Sequence, residues 1–289
     1  MKFSLGFLGI VLQLMPITLI AEVNTISALQ SPVWLQRDGI TRALRAGDEI
    51  VAGDRIRTGV DARVLIRLAE GSDVKLGENT RWALDKQSTS TSDRVFNALM
   101  SVAKGAFRFT TTALSKNRSR NISARLNTAT IGIRGTDVWG QVDDARTFIV
   151  LIEGKIEIER NGESTTLSEP LSLYSAPNNA PVEPLSTVAL DALSTYAQQT
   201  ELQSHQGVQS VDGAWRVNVS SYTNREYAQQ LKKQLDNDGY STFLQDITLN
   251  NRNYTRVVMS GFQTRSDAEF MRLAISAAYE LSPWISPEQ

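Results

Sequence analysis

Cysteine is absent from this chain, and histidine occurs once in 289 residues. The first absence excludes disulfides, thiolate nucleophiles and Cys-based zinc sites, and it fits either a cytoplasm or an oxidising compartment. The second leaves a Ser-His-Asp triad only His205 to recruit, in a polar run at 198–213 that is a poor setting for a held general base. Charge of one sign is not in excess: 30 Lys and Arg against 31 Asp and Glu leave a formal net charge of −1. Nothing global therefore points to nucleic acid or an anionic membrane. After the first twenty or so residues, no apolar run approaches the roughly 20 residues that cross a bilayer. What is present is an ordinary globular composition, 41% hydrophobic and 21% charged, at a length that suggests two domains.

The start of the chain carries a signal-peptide layout. Lys2 precedes a mostly apolar run over residues 3–20, interrupted by Gln13, Pro16 and Thr18 and closed by Ala21. Residues 1–21 are read as an export signal cleaved after Ala21. Leu19 is not the small residue expected two positions earlier, so an uncleaved N-terminal anchor stays open. Either outcome puts the protein outside the cytoplasm, and the expected location is the periplasm.

The most informative stretch is residues 213–289, which holds a gapless internal repeat. Residues 216–222 align with 256–262, a shift of 40 (256 − 216) that persists to Ala228 against Ala268. Each copy reads as a strand, a small-residue bend, an aromatic, a polar cap and a helix. Val217 and Val219 alternate with Arg216, Asn218 and Ser220, and Val257 and Met259 sit beside Arg256 and Val258, the period of strands buried on one face. Residues 223–226 and 266–269 offer capping boxes. Ala228, Leu231 and Leu235 form one helical stripe, with Gly239 at its end; Ala268, Met271, Ile275 and Ala278 form another. Residues 240–249 and Trp284–Ile285 supply further strands, giving the order β-α-β-β-α-β.

This ordered set of motifs, from Trp215 through the Arg256, Val257, Met259, Gly261, Phe262 phrase, resembles a SPOR domain. The resemblance implies an α+β, ferredoxin-like (RNP-like) sheet that binds peptidoglycan glycan strands, favouring those stripped of stem peptides. Asn218, Ser220 and Ser260 depart from the family's usual Gln and glycines. With helices over one face, alternation gives Arg216, Asn218, Ser220, Tyr254, Arg256 and Val258 to the other, and these are the candidate glycan-binding residues. Amide, guanidinium and phenol groups offer donors and acceptors for hydroxyl and N-acetyl groups, and Tyr254 offers a flat ring. Such a sheet can also stack RNA bases; the secretory start argues against that.

Residues 22–175 read as all strand and turn. Residues 63–76 make a hairpin around Glu70-Gly71, and Asn161-Gly162 is a strong type I′ signal before a returning strand at 165–167. Sandwich, barrel and β-helix-like stack all remain open. Three phrases, at 46–59, 68–72 and 128–137, together with Ile152-Glu153-Gly154, resemble the extracytoplasmic FecR domain. Members of that family carry an anti-sigma segment and a membrane helix ahead of this domain; here a signal peptide stands there, so contact with a sigma factor is not carried over. What the resemblance leaves is an all-β N-terminal domain for protein or wall contact. The Gly132, Arg134, Gly135, Asp137 phrase is read as a tight bend with Arg134 and Asp137 paired across it. The basic run at 116–120 is read as a solvated loop.

Residues 176–212 form the connector. Pro177, Pro181 and Pro184 suggest a stiff, non-packing tract, followed by a short helix around Leu190, Leu193 and Ala197. No cofactor or metal is expected, and the spacing of Asp54, Asp137 and Glu153 does not favour a glycosidase-like carboxylate pair. The sequence is read as a non-enzymatic envelope protein. It would bind peptidoglycan glycans, where they are denuded at the division site, and present its β-domain to a protein or wall partner. An extracytoplasmic signalling adaptor and a wall hydrolase are the alternatives.

Overall fold

The computed structural model describes residues 23–89, 95–111 and 119–288, so the signal reading at 1–21 and positions 116–118 of the basic run lie outside the described residues. The N-terminal part consists of β1 (Asn24–Gln30), β2 (Val33–Arg37), β3 (Ile40–Ala43), β4 (Glu49–Ile50), β5 (Arg55–Thr58), β6 (Arg63–Arg67), β7 (Asp73–Leu76), β8 (Arg81–Thr89), β9 (Phe96–Thr110), β10 (Arg120–Leu126), β11 (Ala129–Val142), β12 (Arg146–Arg160), β13 (Glu163–Leu167) and β14 (Ser172–Pro177). The connector supplies β15 (Ser186–Thr187), α1 (Leu190–Thr200) and β16 (Val208–Ser210). The C-terminal part is β17 (Trp215–Tyr222), α2 (Arg225–Asn237), β18 (Phe243–Leu249), β19 (Arg252–Phe262), α3 (Arg265–Tyr279) and β20 (Trp284–Pro287).

Strands β9 and β12 run for 15 residues and β11 for 14, longer than one face of a small domain needs. Each serves two layers. The first half of β9 pairs with β8 and β10, and its second half with β7 and β11. The first layer thus runs β3-β2-β5-β8-β9-β10-β11-β12-β13, and the second runs β1-β6-β7-β9-β11-β12-β14. Period-2 alternation turns Met100, Ile122 and Ile131 of one layer and Ile66, Phe109 and Ile149 of the other into one buried cluster. Of the three architectures left open by the sequence, the chain adopts a sandwich closed by shared strands.

Glycine makes the bend possible. Gly154 has φ +92°, and a Cβ there would stand 2.5 Å from the Gly135 carbonyl oxygen, a distance no side chain tolerates. The 132–137 phrase is a bend, as read, but its ion pair differs. Asp137 accepts from Arg108 at 2.6 and 2.8 Å, not from Arg134, because the bulge between positions 134 and 137 re-aims the intervening side chains. Asn161 (φ +53°) and Gly162 (φ +81°) form the positive-φ pair a type I′ turn requires.

The connector was expected to stand free, and instead it packs. Arg160 donates to the carbonyls of Pro177 and Ala180, and Val182 packs against the core. Helix α1 covers the outer face of the second layer. There Tyr196 stacks on buried Trp139 at 4.6 Å, and Glu201 pairs with Lys75 (2.6 Å) and Arg108 (2.8 Å). The reason is that Ala106, Trp139 and Val150 make the outer face of that layer apolar as well, and an apolar face must be covered.

The C-terminal part is the expected β-α-β-β-α-β unit, a four-stranded antiparallel sheet ordered β18-β19-β17-β20 with α2 and α3 on one face. Val217, Val219, Val257 and Met259 face the helical stripes of Ala228, Leu231, Leu235, Ala268, Met271 and Ile275. Ala278, expected in the second stripe, is exposed. The caps also shift: Asn224 alone caps α2, and the capping box of α3 is Thr264 with Asp267, two residues before the expected one.

Asp267 also joins the two domains. This carboxylate is 1% exposed and accepts from the backbone N–H of Gly207 (3.1 Å), Val208 (3.0 Å) and Thr264 (3.2 Å), and from the Thr264 hydroxyl (2.6 Å). It thereby fixes β16, whose residues pair with β1 on one side and meet β19 on the other. A second seam lies at Trp34, whose indole N–H donates to the Asn237 carbonyl at 2.8 Å while its ring lies against Gly239. Replacing Asp267 with Ala would leave buried donors unmet, at about 1–3 kcal/mol each. Asp267→Ala is expected to lose about 3 kcal/mol and to open residues 201–213 to protease. Melting and limited proteolysis check this; an unchanged cleavage rate would show that β16 is held otherwise.

Candidate functional site

The helix-free face of the C-terminal sheet is built around β17 and β19. Arg216 stands opposite Ser286, Asn218 opposite Trp284 and Val258, Arg256 opposite Gln245, and Tyr254 opposite Ile247. A bulge between Asn218 and Ser220 shifts the register, so Ser221 lies opposite Arg256 and Ser220 opposite helix-facing Val257. The assignment of Ser220 to the open face is therefore corrected to Ser221. Strict alternation from Arg216 cannot foresee an extra residue.

Nor are all the remaining candidates solvent-exposed. Arg216 is 5% exposed, and Asn218 and Val258 are fully buried. Asn218 lies inside a network, donating to the Trp284 carbonyl (3.4 Å) and the Ser286 hydroxyl (3.0 Å) and accepting from Arg256 (3.3 Å). Arg216 donates to the same hydroxyl at 3.0 Å. On a sheet of four strands, the edge strand and the long side chains of neighbouring positions close over the centre. Arg256 and Tyr254 stay half-buried at the surface.

Sequence reasoning missed Trp284. It was read only as part of an edge strand, yet it is 40% exposed and the Arg256 guanidinium lies 4.9 Å from its ring centre. Its position opposite Asn218 was the available signal. Tyr254, Arg256 and Trp284 thus form a row of aromatic, cation and aromatic. Burial first, and then repulsion from Arg216, push the Arg256 guanidinium below its usual pKa. Its hydrogen-bond acceptors among the described residues are the neutral Ser221 hydroxyl and Asn218 amide. A partly desolvated cation without a carboxylate partner favours an incoming acceptor or anion, and the flanking rings can lie against a sugar.

Of the three carboxylates weighed from the sequence, Asp137 and Glu153 stand opposite each other across β11 and β12, while Asp54 is held separately. Asp54 is fixed by Arg37 at 2.6 Å and by the Val51 N–H, Asp137 is fixed by Arg108, and His205 is exposed at φ +67°. No helix among the described residues is long and apolar enough to cross a membrane.

A bent-strand β-domain followed by an open-faced ferredoxin-like sheet defines the class, an all-β domain coupled to an α+β domain. The family models agree. Residues 54–157 match FecR protein and residues 211–287 match the SPOR domain, so the chain carries a FecR domain followed by a SPOR domain. The SPOR domain supports peptidoglycan binding, and the FecR domain supports a signalling or regulatory role; both are binding or regulatory families of the cell envelope. No curated protein matches. Two solved structures of an anti-sigma factor from Parabacteroides distasonis ATCC 8503 are similar at TM-score 0.41, with 14% and 13% identity, covering 78% of this chain and 92% and 91% of theirs.

The network makes opposite demands of neighbouring residues. Asn218→Ala removes three hydrogen bonds at a buried position and is expected to cost about 1–3 kcal/mol, comparable to Val257→Ala in the core. Tyr254→Ser, nearer the rim, should cost less than about 1 kcal/mol. Paired melting curves decide this, and equal stability of the parent and Asn218→Ala would remove the network from the account.

Proposed function

We propose that this protein is a non-enzymatic, exported envelope protein that grips peptidoglycan glycan strands with the open face of its C-terminal sheet. It is organised as a signal segment at 1–21, a β-domain at 22–175, a connector at 176–212 and a glycan-binding domain at 213–289. The observation that carries the reading is Arg256, a guanidinium with no carboxylate partner among the described residues, lying against the Trp284 ring two residues along β19 from Tyr254 in a SPOR domain. Asn218 positions it by accepting its hydrogen bond, and Ser221 completes the polar edge.

The chemistry of denuded glycan suits that cation. Amidase hydrolysis cuts the amide joining a stem peptide to the lactyl group of its sugar and leaves a free carboxylate there. A guanidinium fork takes a carboxylate through two parallel hydrogen bonds, stronger than bonds to neutral acceptors. Intact strands offer an amide in its place. Preference for stripped glycans then follows from charge, and because stripped glycans collect where a septum is being split, the division site is the location this reading expects. The FecR match supports a second role for the β-domain, contact with a protein partner in signalling or scaffolding.

Co-sedimentation of the full chain with isolated sacculi tests the proposal. Binding should rise after amidase treatment and fall about tenfold in Arg256→Ala or Trp284→Ala, the loss of one to two net hydrogen bonds or one ring contact. Equal binding to treated and untreated sacculi, or undiminished binding by both variants, would overturn the glycan reading.

A further inference from the structure

The outer face of the first β-layer carries a row of charge that the fold does not require. Trp34 on β2, Arg57 on β5, Arg81 on β8 and Lys104 on β9 stand directly opposite one another across four adjacent strands. Arg55 lies on the same face, one row along from Arg57, beside Gln36 and Ala83. Arg55, Arg57 and Arg81 are exposed, and none makes an ion pair among the described residues; Lys104 pairs with Asp144 at 3.1 Å. Neighbouring strands are about 4.8 Å apart, and like charges directly opposite on them are destabilising. Arg57 against Arg81 and Arg81 against Lys104 are two such pairs. A groove of about 600 Å3 follows the row, with no carboxylate in its lining and with Ala83 and Ala103 in its floor. It continues into a second concavity past Arg81 and exposed Val60.

The row also discriminates between kinds of ligand. The Trp34 ring is not free for a sugar, because the Arg57 guanidinium lies 4.1 Å over its centre and Gly239 closes its edge. The indole instead holds one guanidinium in a fixed orientation, next to two others that are unpaired. Such a surface recognises anions at high density. A stripped glycan carries one carboxylate per lactyl-bearing sugar, a sparser array of charge, and only small methyl groups for the floor. An extended acidic polypeptide repeats side chains on one face about every 6.6 Å and intersperses apolar ones.

We infer that this groove is the docking surface of the β-domain for an acidic, apolar-interspersed segment of a partner protein, with Arg55, Arg57 and Arg81 as its carboxylate clamps. This deepens the reading of the β-domain as a contact module and is independent of glycan binding. The test is titration calorimetry of the full chain at low salt with a synthetic peptide repeating Asp-Glu-Val, polyphosphate of equal charge, and amidase-denuded glycan fragments. The peptide is expected to bind in preference to polyphosphate, with affinity falling as salt rises. Arg55→Ala with Arg81→Ala should weaken it by about tenfold or more, as lost charge-assisted bonds require. Sacculus binding by the same double variant should be unchanged, which separates failure of this inference from failure of the glycan reading. Arg81→Glu, which converts two like-charge pairs into opposite ones, should abolish peptide binding and raise Tm by about 1–4 °C. Preference for polyphosphate or for glycan, undiminished binding by the double variant, no binding of any probe, or a lowered Tm in Arg81→Glu would each overturn the inference.

Discussion

What makes this a single body rather than two domains on a string runs chiefly through three residues of β16, with the Trp34 seam beside them. A strand that short has almost no stability of its own, because a few ladder bonds do not offset the entropy of ordering its backbone. It persists since both its flanks are occupied, by β1 from the β-domain and by β19 from the C-terminal sheet, and since the buried Asp267 carboxylate takes the N–H groups at its start. The same carboxylate caps α3. One side chain therefore sets the helix over the C-terminal sheet and fixes that sheet to its neighbour. Gln30 adds to the seam, donating to the Gln206 carbonyl and accepting from the Gln203 N–H.

The sequence made visible whatever depends on local periodicity. The C-terminal unit was legible almost entirely, because Val217, Val219, Val257 and Met259 alternate and the helical stripes repeat at the right spacing. The hairpin of β6 and β7 and the Asn161-Gly162 turn were legible because turn chemistry is local. The bending of β9, β11 and β12 between layers was not. Glycine is a common turn residue, yet β12 continues through Gly154, and only the carbonyl of Gly135 across the sheet reveals why glycine stands there. The connector misled for a related reason: prolines at 177, 181 and 184 report stiffness but cannot report that Trp139 presents an apolar outer face needing a lid.

The candidate site illustrates the same limit at the level of single side chains. Alternation assigned faces correctly up to the bulge after Asn218 and failed one residue later at Ser220. It also equated the face opposite the helices with solvent exposure. Asn218 and Val258 are on that face and fully buried, because the third dimension of a small sheet is filled by its own edge strand and by long side chains such as Arg256. Trp284 escaped attention as the residue of a short terminal strand, although its ring stands beside the one guanidinium that the polar network leaves turned outward.

The rigid joint bears directly on how two contact surfaces can work in one chain. A flexible linker of the connector's length would let a bound partner sample a wide volume around the C-terminal sheet's ligand, and coupling between the two events would fall with that volume. Here Trp34 is both the foot of the cationic row and an inter-domain contact: its ring carries Arg57 and its N–H reaches the end of α2 through Asn237. A partner seated on Arg55, Arg57 and Arg81 would therefore be held at a fixed distance and angle from Tyr254, Arg256 and Trp284. Fixed geometry makes simultaneous occupation either favourable or impossible, with little in between, so if both proposed surfaces are used the architecture suits a single defined arrangement better than loose tethering. In this arrangement the connector, which sequence composition marks as a spacer, is the part that sets orientation.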